Sequence, residues 1–370
     1  MSSAPQESRR ELDAAPSAAA VPSPETDDPL ARYARQIRFA PLGREGQERL
    51  QRSRALVCGC GALGSVIANT LARAGVGRLR IVDRDFLELN NLQRQVLYDE
   101  ADVAAGLPKA IAAADKLRRI NSTIDIEPIV ADVDHRNIAD LVRDVDVVVD
   151  GTDNFEIRYL LNDASLRWKI PWVYGGCLGA EGQTMTILPG ETPCLRCLLP
   201  EPPPPGTTES CDTAGILGPI INVIASLQAC EALKILSGHR TASSRVLQIC
   251  DVWDNQLRQV RLEALREASS RCPTCTGSDF PWLDGRRGVH SAVLCGRNAV
   301  QLVFPDVTPP SLEQLAARLA SVGTVSVNRH LLRLSVEAYR FTVFPDGRTI
   351  VGGTSDVAEA RSAYARYIGH

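Results

Sequence analysis

Histidine is scarce in this chain: five among 370 residues leave few imidazoles for metal ligation or acid–base chemistry. An excess of either charge is also missing. The 41 Lys and Arg against 44 Asp and Glu leave a net −3, so there is no global basic field to hold nucleic acid by charge alone. No apolar signal-peptide core opens the sequence. Residues 1–28 are more than half Ala, Ser or Pro, which predicts a disordered tail, and their acidic residues argue against an organellar transit peptide. Clean membrane-length runs are absent too. Ala55–Ala72 is broken by three glycines, and Thr213–Cys230 contains Gly218, Pro219, Asn222 and Gln228, so both read as buried core segments. The expectation is a cytoplasmic protein with no membrane or nucleic-acid partner.

What is present is ordinary for a globular chain, with 44% hydrophobic and 23% charged residues and length for about two domains. Arg54–Cys58 reads as a buried strand, Gly59–Gly64 (GCGALG) as a tight turn, Ser65–Ala74 as a helix and Leu79–Val82 as the next strand. Pro108 opens a helix to about Arg119. Strands at Ile124–Val130 and Val145–Val149, a helix at Asn154–Trp168, and strands at Trp172–Tyr174 and Thr184–Leu188 continue the alternation. This predicts an α/β fold, a doubly wound Rossmann-like mostly parallel sheet, over residues 29–275. Glu201–Gly206 (EPPPPG) marks residues 198–213 as an exposed crossover loop. Residues 276–298 read as a linker or an embellishment, and 299–370 as a small α+β domain of unknown role.

Five motifs carry chemistry. GCGALG follows a strand and opens a helix, so Gly59, Gly61 and Gly64 would let backbone N–H groups approach a phosphate. Asp83 follows Gly59 by 24 residues, the position of a ribose-binding carboxylate. Arg94 and Lys109 lie downstream and could stabilise a phosphoryl group; spacing alone favours a solvated surface for Arg94 and first-turn decoration for Lys109. VVVDGTDN (Val147–Asn154) puts Asp150, Thr152, Asp153 and Asn154 at a strand's carboxyl end, where a carboxylate suits magnesium and where Asp153 or Asn154 fits a helix N-cap equally well. Cys194-Leu-Arg-Cys197 and Cys272-Pro-Thr-Cys275 are two C-x-x-C knuckles, a set of four thiolates for a closed structural zinc site across 74 intervening residues. Cys211, in the polar ESCDTAG stretch, reads as either an accessible thiol or a nucleophile.

Taken together these residues resemble the ThiF/MoeB family of adenylyltransferases, relatives of ubiquitin-activating enzymes. RYARQI (Arg32–Ile37), VCGCGALGS, NNLQRQ, Pro108-Lys109, DGTDN, EGQ, PCLRCLLPEPPPP, CDTAGILGP and ASLQACEALK carry the resemblance from Arg32 to about Cys275. It implies that Gly59, Gly61, Gly64 and Asp83 bind ATP. Asn91, Arg94 and Lys109 would contact its phosphates, Asp153 would hold magnesium, and the four knuckle cysteines zinc. It further implies that Arg35 is supplied by a second subunit, making a homodimer, and that Cys211 occupies the position of a crossover-loop cysteine. The implied reaction is adenylylation of the C-terminal Gly-Gly carboxylate of a small ubiquitin-like sulfur-carrier protein. Pyrophosphate is released, and a separate sulfur donor follows in thiamin, molybdopterin or tRNA-thiolation synthesis. Residues 281–370 do not resemble a rhodanese-type domain and are read as a docking or assembly module; Ala104-Ala105 looks like a two-residue insertion beside Lys109. Two other readings fit part of the pattern. A dinucleotide-dependent oxidoreductase would use GCGALG and Asp83 but needs neither Lys109 nor the knuckles. A non-catalytic, zinc-stapled scaffold would bind nucleotide or carrier without chemistry.

Overall fold

Strand β1 (Arg54–Cys58) is buried after its first residue, and successive side chains enter two different cores. Ala55 and Val57 join Leu79, Ile81, Val147, Val149 and Val173 on one face; Leu56 and Cys58 join Val82, Val148, Trp172 and Tyr174 on the other. A strand apolar on both faces needs cover on both sides, and helices provide it. The computed structural model describes residues 28–203, 214–265, 270–287, 292–294, 298–303 and 311–368.

After α1 (Ala34–Ile37) and α2 (Gly43–Arg52), β1 leads into α3 (Ala62–Ala74) and β2 (Arg78–Val82). Then come α4 (Glu100–Ala104), α5 (Lys109–Ile120), β3 (Asp125–Ile129), α6 (Ile138–Leu141), β4 (Val147–Asp150), α7 (Phe155–Trp168), β5 (Trp172–Leu178) and β6 (Glu181–Ile187). The short α8 (Leu195–Leu198), α9 (Gly218–Leu236), β7 (Val246–Asp251) and β8 (Gln256–Arg261) complete the layer. The strand order is β3-β2-β1-β4-β5-β6-β7-β8. Its first five strands run parallel, while β6, β7 and β8 extend it antiparallel. The order reverses between β1 and β4, and the crevice beyond their carboxyl ends is where an open α/β sheet binds ligands. Helix α9 has the length and composition to cross a bilayer, yet half of its most apolar stretch is buried and it packs on α3, β5 and β6. It is a core helix.

A second, antiparallel sheet has the order β11-β12-β13-β14-β10-β9. Its strands are β9 (Ala292–Leu294), β10 (Ala299–Leu302), β11 (Thr324–Val327), β12 (Leu332–Val336), β13 (Tyr339–Val343) and β14 (Thr349–Gly352). With α10 (Leu312–Leu319) and α11 (Val357–Tyr367) it encloses its own core, including Val300, Leu315, Leu334, Phe341, Val351 and Ala363. The span 276–298 therefore differs from a plain linker. It contains β9, and Trp282 in it is buried against Tyr159, its backbone N–H donating to Asp163 Oδ2 at 3.0 Å. A three-residue strand and a lone Trp carry too little periodicity to be seen in sequence.

Candidate functional site

The glycine turn sits at the crevice, and each of its glycines answers a different constraint. Gly59 has φ +82°, which favours glycine, and a Cβ there would lie 2.9 Å from the Gly151 carbonyl. A Cβ on Gly64 would stand 1.9 Å from the Gly59 oxygen, so this glycine permits the contact between α3 and the turn. At Gly61 a Cβ would meet only Gln95 Nε2, at 3.8 Å; the space over this backbone is open. No side chain caps α3, so its positive end is left for a ligand.

Asp83 follows β2 and is buried. Its carboxylate accepts from the N–H of Cys60 at 2.6 Å and of Asp85 at 2.7 Å. Burial pushes its pKa up, while Lys109 opposes the shift. Lys109 is the first residue of α5 and is 3% exposed, with Nζ 3.1 Å from Asp85 Oδ2. Backbone pairing locks the two segments together: Lys109 N–H donates to Asp85 O at 2.9 Å, Leu87 N–H to Leu107 O at 3.3 Å, and Phe86 bridges Pro108. The Tyr98 hydroxyl donates to Cys60 O at 2.7 Å and lies 3.2 Å from Lys109 O, tying turn and helix. So Lys109 is a buried, clamped cation in the same cluster as Asp83, not surface decoration.

Asn91 is also buried, but its side chain closes a local cap: Oδ1 accepts from Glu88 N–H at 3.1 Å, and Nδ2 donates to Asn90 Oδ1 at 2.9 Å. Arg94, half-buried, donates Nη1 to Asn90 O at 2.9 Å. Across the crevice, Asp150 ends β4 fully buried and accepts from Thr152 N–H at 2.9 Å and Thr152 Oγ1 at 2.7 Å. Burial pushes its pKa up to about 6, against the pull of Arg158. Of the two candidate caps, Asn154 caps α7, accepting from Glu156 N–H at 2.8 Å. Asp153 is left exposed; against the opposing effect of burial, Asp132 and Asp85 hold the Arg84 pKa up, and Tyr174 and Asp150 that of Arg158, with Asp153 adding to both. Arg35 is exposed on α1 and makes no ion pair with the described residues. Cys211 lies outside the described residues, as does most of the crossover.

The knuckles converge. Cys194, Cys197, Cys272 and Cys275 have their sulfurs within 4.8 Å of one another, with Cys194–Cys197 and Cys194–Cys272 at 3.8 Å and Cys197–Cys275 at 3.5 Å. A tetrahedron of ~2.3 Å zinc–sulfur bonds has its sulfurs about 3.8 Å apart, so the donor set fits that ion. Asn162 orients the first knuckle, donating Nδ2 towards Cys194 Sγ at 3.6 Å and accepting from Leu195 N–H at 2.9 Å. Arg196 braces the second, donating Nη1 to Thr274 Oγ1 at 2.7 Å.

Sequence reasoning missed Asp85, Tyr98 and Asn162. Asp85 left a trace in the run Asp83-Arg84-Asp85; the other two are polar residues inside apolar helical or turn patterns, with no local signal.

The chain matches the ThiF family over residues 33–274. It is 44% identical over 339 residues to the sulfur carrier protein ThiS adenylyltransferase of Bacillus subtilis, covering 91% of this chain and 99% of that one. The SAMP-activating enzyme E1 of Haloferax volcanii is 42% identical, with 66% of this chain and 88% of that one covered. Among solved structures, E. coli MccB with ATP shares the fold at a TM-score of 0.55 and 23% identity, over 63% of this chain and 71% of that one. The glycine turn at the switch point, the clamped lysine and the four-cysteine cluster all fall inside the matched span, and the chain belongs to the ThiF family.

Proposed function

We propose that this protein adenylylates the C-terminal carboxylate of a small ubiquitin-like sulfur-carrier protein ending in Gly-Gly. The observation that carries the reading is Lys109, buried and clamped in one cluster with Asp83 beside the glycine turn, in a chain so similar to a named ThiS adenylyltransferase. Gly59, Gly61 and Gly64 cradle ATP, Asp83 takes its ribose, and Asn91, Arg94 and Lys109 contact the phosphates. The carrier's terminal carboxylate oxygen attacks the α-phosphorus, the bond to the bridging oxygen of the β-phosphate breaks, and pyrophosphate leaves. Two anions must meet, so fixed cations at the phosphates lower the barrier. Lys109 needs no reorganisation to do this, because Asp85 and the backbone ladder already hold it. Arg94 gives up only an exposed hydrogen bond to Asn90 when it turns to a phosphate.

Asp153, freed from capping by Asn154, is the magnesium ligand; the ion, when bound, neutralises phosphate oxygens. The four cysteines hold zinc in a closed structural site. Arg35, exposed on α1, serves a partner subunit's site in a homodimer, and the second sheet with α10 and α11 forms an α+β unit with its own core. Cys211 is assigned to the later sulfur step, with an external sulfur donor. The setting is the cytoplasm.

Exchange of labelled pyrophosphate into ATP, dependent on a Gly-Gly-ending carrier, tests the reaction. Arg94→Ala is expected to lose about 10²–10³-fold in exchange while unfolding at an unchanged temperature. No exchange with any cognate carrier, or full activity in Arg94→Ala, overturns the reading.

A further inference from the structure

The second sheet is not merely tethered to the large one. Its residues grip the two backbone segments that position Lys109. Arg348, 2% exposed, donates Nη2 to the Arg84 carbonyl at 3.1 Å and holds Nη1 3.5 Å from Gln301 Oε1. Gln301 in turn donates to Asp132, whose carboxylate also receives Arg84 Nη1 at 3.0 Å. Arg84 Nε stands 3.9 Å from Asp85, the residue paired with Lys109. From β12, the Arg333 guanidinium lies 4.3 Å over the Phe86 ring, and Asn328 Nδ2 is 3.5 Å from Gly106 O. Phe86 forms, with Pro108, the bridge that sets the start of α5, and Gly106 lies two residues before Pro108. The Ala104-Ala105 stretch thus leads into a contact with the second sheet.

A joint needed only for attachment is more cheaply built from apolar side chains. Burying an arginine is costly unless its donors are paired, and a paired buried arginine fixes the geometry of the groups it bonds. Here those bonds end on the backbone and carboxylates beside Asp83 and Lys109. We infer that the second sheet is a built-in strut of the nucleotide site, with Arg348 and Gln301 as positioning residues that hold the Arg84–Asp85 segment and, through it, Lys109 in register for ATP. The inference rests on the adenylylation reading.

The test uses full-length Arg348→Met, Arg348→Lys and Gln301→Leu proteins. ATP affinity is measured by calorimetry without carrier, and exchange is run with KM for ATP and for carrier resolved separately. Arg348→Met and Gln301→Leu are expected to weaken ATP binding and raise its KM about tenfold, with kcat and the carrier KM within about twofold. Arg348→Lys, which keeps a donor for the Arg84 carbonyl, is expected to recover most of the loss. Unchanged ATP affinity in both Arg348→Met and Gln301→Leu overturns the inference. So does a fall in kcat and ATP affinity that merely tracks the folded fraction, or an Arg348→Lys protein no better than Arg348→Met. Carrier-free ATP binding reads the strut alone, so wild-type protein that binds ATP but never exchanges pyrophosphate sinks the reaction instead.

Discussion

The parallel half of the large sheet and its antiparallel extension hold themselves together by different means. Strands β1 and β4 are buried almost throughout, covered by helices on both faces, and they carry the nucleotide crevice at their carboxyl ends. Strand β8, at the far edge, is exposed along its whole length, with Leu257 63% exposed and Trp253 in the preceding turn 76% exposed. Just beyond β8 the chain returns to the four-cysteine cluster. Packing covers the first region on both faces; beyond the second, the chain is gathered at four cysteines that themselves pack in the core with Leu56 and Trp172. The charged site therefore sits where its scaffold is covered on both faces.

The largest effect expected from this contrast comes from the cysteines. Structural zinc in small folds is worth on the order of 10 kcal/mol, so chelation or Cys194→Ser should unfold the outer region well before the rest. Hydrogen exchange followed by mass spectrometry reads this directly. Protection should vanish at β8 and residues 270–287 while β1 to β5 keep theirs; equal loss in both halves breaks the comparison.

A smaller effect is expected at the glycine turn. Gly64→Ala forces a Cβ against the Gly59 oxygen and should cost about 1–3 kcal/mol in urea unfolding. Gly61→Ala enters open space and should leave stability within about 0.5 kcal/mol while weakening ATP binding. Equal destabilisation by both would mean that Gly61 is a folding residue and not a ligand-facing one.

The smallest is a pH slope. Asp163, on α7 beside the knuckles, has its pKa pushed up to about 7 by burial, despite accepting from Trp282 and Leu283 N–H. An unfolded carboxylate titrates near 3.9, so the folded state holds this proton longer. Its contribution to stability is full below about pH 4 and is lost as pH rises through about 7. Thermal melts across that window should flatten in Asp163→Asn; an unaltered slope would place the titration elsewhere.

Much of the site could be read in advance because its signals are local. GCGALG needs glycine at fixed offsets within one turn, and each C-x-x-C is a four-residue pattern. Arg94 and Lys109 were different. Their spacing points to surface roles, and only the ordered set of family motifs outweighs it. Burial and the Asp85 pair put Lys109 in one cluster with Asp83, while Arg94 is half exposed. Asp153 and Asn154 were equivalent on paper, and the backbone at the start of α7 separated them.

Strand periodicity, glycine spacing and paired cysteines were determined by the sequence alone, because each depends on residues a few positions apart. The grip of Arg348 on Arg84, across 264 positions, and the meeting of two knuckles 78 residues apart were decided only by tertiary structure. Such contacts exist once packing has brought distant segments together, and no local pattern encodes which buried donor will find which carbonyl.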